Sequence, residues 1–266
     1  MEQLRNKKAF ICDMDGVIYH GNRLLPGVKD FVNWLQKSDK KYLFLTNGSG
    51  KTPEQLHDKL LKLGLDISPD HFYTSAMATL HFLTSQKPGC SAYIVGEPGL
   101  FEVLLRGGIH FDDQNPDYVV IGETFSYNWS NITTAMRLIG KGAKFIATNY
   151  DLTYPEESGI APACRALTAP IEITTGKHAY YVGKPNSLMT STALHMLHVL
   201  NFECALVGDN MTTDIVAGIE SGLDTVLVLS GVSSRETVEE YAYRPRLILN
   251  GVGDIVPEEL REETKE

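Results

Sequence analysis

The chain has 266 residues, 43% hydrophobic and 21% charged, enough for one or two domains around a sizeable core. A formal charge of −9 argues against a general nucleic-acid or anionic-membrane surface, so any phosphate site must be built locally from amides, a cation and a few basic side chains. No apolar run approaches the roughly 18 residues of a transmembrane helix, and the stretch behind Arg5, Lys7 and Lys8 stops at Asp13, too short for a signal-peptide core.

The first apolar run, Ala9-Phe10-Ile11-Cys12, reads as a buried strand (9–13) leading into Asp13-Met14-Asp15-Gly16. Carboxylates two apart on extended backbone point the same way. At a strand end in an α/β sheet they face the crevice where such folds bind ligands. Two close anions call for a cation or a proton between them, so the pair suggests a metal-assisted site with one nucleophilic carboxylate and one proton carrier. Taken alone, an Asp pair at a strand end is more often a turn or a helix cap. A helix at 27–37 and a strand at 42–46 follow. The strand runs into Thr46-Asn47-Gly48, a hydroxyl, an amide and an unhindered glycine that suit a phosphate cradle or a plain polar turn. Thr52-Pro53-Glu54-Gln55 then combines an N-cap, a proline at N1 and a capping-box glutamine, opening a helix over 53–63 that Gly64 ends. Gly50-Lys51-Thr52 imitates the end of a P-loop, but that motif needs glycine where Leu45 stands, and Thr52 belongs to the cap.

Further helices are expected at 75–85, 98–106, 128–140, 162–172, 186–199, 212–220 and 234–241, alternating with strands at 92–96, 118–122, 144–148, 180–183, 204–208, 224–229 and 246–249. Such alternation implies βαβ units and parallel sheets. The strands exceed one comfortable small sheet, so a second α/β domain inserted into the first is expected. Tyr118, Tyr127 and Trp129 read as packing residues. Val182-Gly183-Lys184-Pro185 ends a strand with a lysine, a compact charge for one phosphate oxygen or simply a surface cation. Ala205-Leu206-Val207-Gly208 leads into Asp209, and Asp214 falls in the first turn of the next helix, where it could merely complement the dipole. His195 and His198 lie three apart on a helix without a third ligand. Cys12, Cys90, Cys164 and Cys204 make no CxxC pair and read as reduced thiols of a cytoplasmic protein. The tail 258–266 reads as a solvated end.

The order Asp-x-Asp-Gly, Thr-Asn-Gly, Lys-Pro, Gly-Asp-x-x-x-Thr-Asp, each at a strand's carboxyl end, resembles the four motifs of the haloacid dehalogenase superfamily of phosphohydrolases. The long segment between Thr46 and Lys184 is similar to the branch with a large inserted cap. Tyr73-Thr74-Ser75-Ala76-Met77-Ala78, Val120-Ile121-Gly122-Glu123 and Ala147-Thr148-Asn149-Tyr150-Asp151 extend the resemblance to the NagD-like subfamily. It implies an α/β fold whose core, 1–81 and 179–266, is a Rossmann-like doubly wound parallel sheet, with 82–178 as an α/β cap over the mouth of the site. It further implies phosphomonoester hydrolysis with Asp13 as nucleophile and Asp15 as proton carrier. Mg2+ is expected on the Asp13 carboxylate, the Asp15 main-chain carbonyl and Asp209, with Asp214 supporting Lys184 or a metal-bound water. Thr46, Asn47, Gly48 and Lys184 are the expected phosphate ligands, and Asn149 and Asp151 the cap contacts to the leaving group. The expected partner is a small phosphorylated metabolite, nucleoside monophosphates ahead of sugar phosphates, with no nucleic acid and no membrane; association through the caps implies a homodimer. Rival readings are a phosphate-binding regulator and a phosphotransferase on the same fold.

Overall fold

The computed structural model describes residues 1–156 and 159–261; of the tail read as solvated, 262–266 lie outside the described residues. The chain divides into two compact units, one comprising Met1–Thr46, His57–Tyr73 and Thr190–Glu266, the other Asn47–Leu56 and Thr74–Met189. The segment 82–178 falls wholly within the second unit, which also takes in 47–56, 74–81 and 179–189.

The first unit is organised by a six-stranded sheet in the order Leu247–Leu249, Asp224–Val228, Cys204–Gly208, Ala9–Cys12, Lys41–Thr46, Phe72–Thr74. Ala9–Cys12 is buried along its whole length, which is why it reads as an unbroken apolar run. It pairs in parallel with a strand on each side, Cys12 lying between Val207 and Phe44. From Ala9–Cys12 the chain builds outward through Lys41–Thr46 in one direction. It later returns at Cys204–Gly208 and builds outward through Asp224–Val228 in the other. The order therefore reverses between Ala9–Cys12 and Cys204–Gly208, and a crevice opens beyond the carboxyl ends at such a reversal.

The second unit carries a five-stranded sheet in the order Tyr180–Tyr181, Lys144–Ala147, Tyr118–Ile121, Ser91–Val95, His110–Phe111, every pair parallel. Tyr93, Val95, Val119, Ile121 and Phe145 of this sheet pack with Ile132, Ala135, Leu138 and Ile139 of the helix Trp129–Gly140 and Ile171 of Cys164–Thr175. Among the described residues no helix is long and apolar enough to cross a membrane.

Most expected elements are found within a residue or two; the departures have local causes. Asn128 caps Trp129–Gly140 through the Asn131 N–H, which leaves Trp129 in the first turn, 86% exposed rather than packed. The helix expected at 212–220 opens as a π-turn, Met211–Ile215, before Val216–Glu220. That expected at 162–172 starts at Cys164, because 159–162 pairs with Thr153–Glu156 in an antiparallel ribbon.

Candidate active site

In the first unit, Asp13 continues the strand Ala9–Cys12, its N–H donating to the Val207 carbonyl at 2.8 Å. Asp209 follows Cys204–Gly208 on the other side of the strand-order reversal. Asp214 is carried back by the π-turn, where its Oδ2 accepts the Asn210 N–H at 3.1 Å. One carboxylate oxygen from each of Asp13, Asp209 and Asp214 lies within 4.8 Å of the others. Asp209 and Asp214 are 3% and 1% exposed. Buried anions so close together are unfavourable without a cation, and three hard oxygen donors suit a magnesium-sized one. Asp15 is turned outward, its carboxylate mostly exposed and 3.8 Å from His20 Nδ1. Thr46 closes the strand Lys41–Thr46 and is partly buried.

The loop after Asp224–Val228 completes this cluster, and the sequence reading missed it. Val232 N–H donates to Asp209 Oδ2 at 2.7 Å, and Ser233 N–H to the Asp209 carbonyl at 3.0 Å. Ser230 Oγ donates to the Gly16 carbonyl at 2.7 Å. A Cβ on Gly231 would stand 1.9 Å from Asp209 Oδ2, so only glycine lets this loop approach the carboxylate. The available signal was a glycine just past an apolar strand, the pattern that pointed to Asp209.

In the second unit, Asn47, Asn149, Asp151 and Lys184 come together. Asn47 Oδ1 accepts the Lys184 N–H at 2.7 Å, and its Nδ2 donates to the Lys184 carbonyl at 3.0 Å and to Asp151 Oδ2 at 2.9 Å. The side chain thus grips both main-chain polar groups of one residue, as a neighbouring strand would, and both amide protons are committed. Gly183 permits the approach: a Cβ there would meet the Thr148 carbonyl at 2.6 Å and Asn47 Oδ1 at 2.7 Å. Lys184 is 2% exposed, not the surface lysine of the plainer reading. Asn149 is fully buried. Its Nδ2 donates to the Asn47 carbonyl and to Glu123 Oε1, and its Oδ1 accepts the Asp151 N–H at 3.0 Å. With both ends of its amide engaged, Asn149 braces the strand end. Gly48 is exposed and Asp151 half-buried.

A parallel sheet with three acidic side chains gathered where its strand order reverses defines an α/β protein with a carboxylate centre able to take a divalent cation. Residues 10–110 match the family described as haloacid dehalogenase-like hydrolase, and residues 181–255 a second HAD-hydrolase-like family. The dihydroxyacetone phosphatase of Corynebacterium glutamicum is 42% identical over 93% of this chain and 90% of its own length. The ribonucleotide monophosphatase NagD of Escherichia coli is 42% identical over 93% of this chain and 98% of its own. The structure of E. coli NagD superimposes with a TM-score of 0.88, covering 94% of this chain and 98% of that one at 41% identity. The 4-nitrophenylphosphatase of Thermotoga maritima superimposes with a TM-score of 0.92 at 30% identity, covering 96% and 98%. The chain belongs to the haloacid dehalogenase-like hydrolases.

Proposed function

We propose that this chain is a magnesium-dependent phosphatase that hydrolyses small phosphomonoesters through a phosphorylated Asp13. The observation that carries the reading is the Asp13–Asp209–Asp214 cluster at the strand-order reversal. Asp13, Asp209 and the Asp15 main-chain carbonyl would hold the ion, with Asp214 as a direct or water-mediated ligand. When bound, magnesium supplies neutralising charge for the phosphoryl oxygens.

Asp13 attacks phosphorus as a carboxylate, forming the acyl phosphate as the P–O bond to the alcohol breaks. Asp15 gives its proton to the departing alkoxide and then takes one from the water that attacks the acyl phosphate, releasing inorganic phosphate and the Asp13 carboxylate. The exposed position of Asp15 suits a group that must reach the leaving oxygen and then water. Thr46, the Asn47 and Gly48 amides and the Lys184 ammonium hold the phosphoryl oxygens. Because Asn47 spends its side chain on Lys184, its contribution is the main-chain N–H.

The relatives named dihydroxyacetone phosphatase, ribonucleotide monophosphatase and acid sugar phosphatase support small phosphorylated metabolites as the substrate class. Nucleoside monophosphates are our first choice and sugar phosphates the alternative. Asn149 and Asp151 are the cap groups proposed to meet the leaving group, Asp151 being the more accessible of the two. Four free, buried cysteines support placement in the reducing cytoplasm, and a homodimer is the proposed assembly.

The test is release of inorganic phosphate from a panel of phosphomonoesters with magnesium. Turnover of at least one class is expected, and Asp13→Asn should be inactive with unchanged circular dichroism. A fully active Asp13→Asn would end the proposal.

A further inference from the structure

The strand Tyr118–Ile121 ends in Gly122-Glu123, and Glu123 points its carboxyl into the amide network of the second unit. Glu123 Oε1 accepts Asn149 Nδ2 at 2.9 Å, while the same nitrogen donates to the Asn47 carbonyl at 2.8 Å. The Ser49 main-chain N–H also donates to this carboxyl. Ser49 is itself fully buried and accepts Thr148 Oγ1 at 3.3 Å. One carboxylate thus reaches the Ser49 end of Asn47-Gly48-Ser49 directly and the Asn47 end through Asn149, on a loop whose amides must be fixed before they can hold an anion.

We propose that Glu123 is a positioning residue: its carboxylate clamps the Asn47–Ser49 loop, directly at Ser49 and through Asn149 at Asn47. The clamp rests on the phosphatase reading only for what the loop does when held.

Burial of the Glu123 carboxyl pushes it up to about 7. The Asn149 and Ser49 hydrogen bonds and Lys51 pull the other way, and Asp151 adds to the rise. The nearby Cys164 thiol, pushed up by burial to about 12, stays neutral across this range. A proton on Glu123 removes acceptor capacity where two N–H groups converge, so the clamp loosens as pH falls through neutrality.

The experiment compares the wild type with Glu123→Gln and Glu123→Ala. It measures kcat and KM for p-nitrophenyl phosphate with magnesium from about pH 5.5 to about 8.5, alongside hydrogen–deuterium exchange of residues 47–51. Losing the clamp should lower kcat in Glu123→Ala by about tenfold to a hundredfold, the scale of a small misplacement near the reacting atoms, with KM little changed. Exchange at 47–51 should accelerate. In the wild type, exchange corrected for intrinsic rates should rise as pH falls through about 7, and Glu123→Gln should lack that step. A Glu123→Gln protein that keeps the wild-type step, or a Glu123→Ala protein with wild-type kcat and exchange, overturns the clamp. If Glu123→Ala fails to fold, the near-isosteric glutamine variant and the wild-type pH dependence still decide. If the wild type hydrolyses no phosphomonoester, the phosphatase reading falls while exchange alone judges the clamp.

Discussion

Asp209 has almost no freedom to drift. Its Oδ2 is held by the Val232 N–H, and the backbone of Gly231 fills the space beside it. In Gly231→Ala the new methyl must displace that carboxylate, so activity should fall by about a hundredfold or more while far-UV circular dichroism is retained. Wild-type turnover in that variant would refute the packing argument. Glu123 carries a second consequence. Between pH 4.5 and about 7 the folded protein keeps a proton that the unfolded chain has released. Its share of the stability is therefore complete below 4.5 and is lost as pH rises towards 7. Melting temperatures across that window should decline less in Glu123→Gln than in the wild type; equal slopes would assign the titration elsewhere. At this scale Asp13 and Asp209 were legible because each acid interrupts the end of an apolar run. The work of Asn47 and Asn149 was not. Sequence identifies an amide but not which carbonyls and N–H groups will claim its two ends, and that depends on strands more than a hundred residues apart.

Helix starts were the most readable elements, since their chemistry is local. Thr52 and Gln55 form the reciprocal box that their spacing predicts: Gln55 N–H donates to Thr52 Oγ1 at 3.3 Å and Thr52 N–H to Gln55 Oε1 at 3.0 Å. That use of Thr52 also disposes of the P-loop resemblance around Lys51. Thr52→Ala should cost about 1 kcal/mol of stability, read from urea unfolding; a change within error would mean the cap is replaced by water. Phe72–Thr74 was missed as a strand because three residues are too few to establish a period. Trp129 was misjudged because an aromatic side chain carries no record of which way the first turn of its helix faces. Both errors have one origin: short or terminal pieces take their conformation from neighbours that the local sequence does not name.

For the whole molecule, the charge balance and the strand–helix alternation were enough to foresee parallel sheets, and the four ordered motifs enough to foresee the family. The division of contacts was not legible, since 47–56 directly follows a strand of one unit in sequence yet groups with the other. Exhaustive dialysis against EDTA should abolish phosphate release, and added magnesium should restore it; activity that survives chelation would remove the metal from the proposal. Sedimentation velocity tests the homodimer, and a single monomeric species across the micromolar range would rule it out.

The grip of Asn47 on the Lys184 peptide joins residues 137 apart. It ties the two ends of a long excursion at one fixed knot. Closure entropy grows only with the logarithm of loop length, each doubling adding about 0.6 kcal/mol. The excursion can therefore change in length at small entropic cost while the knot keeps its geometry.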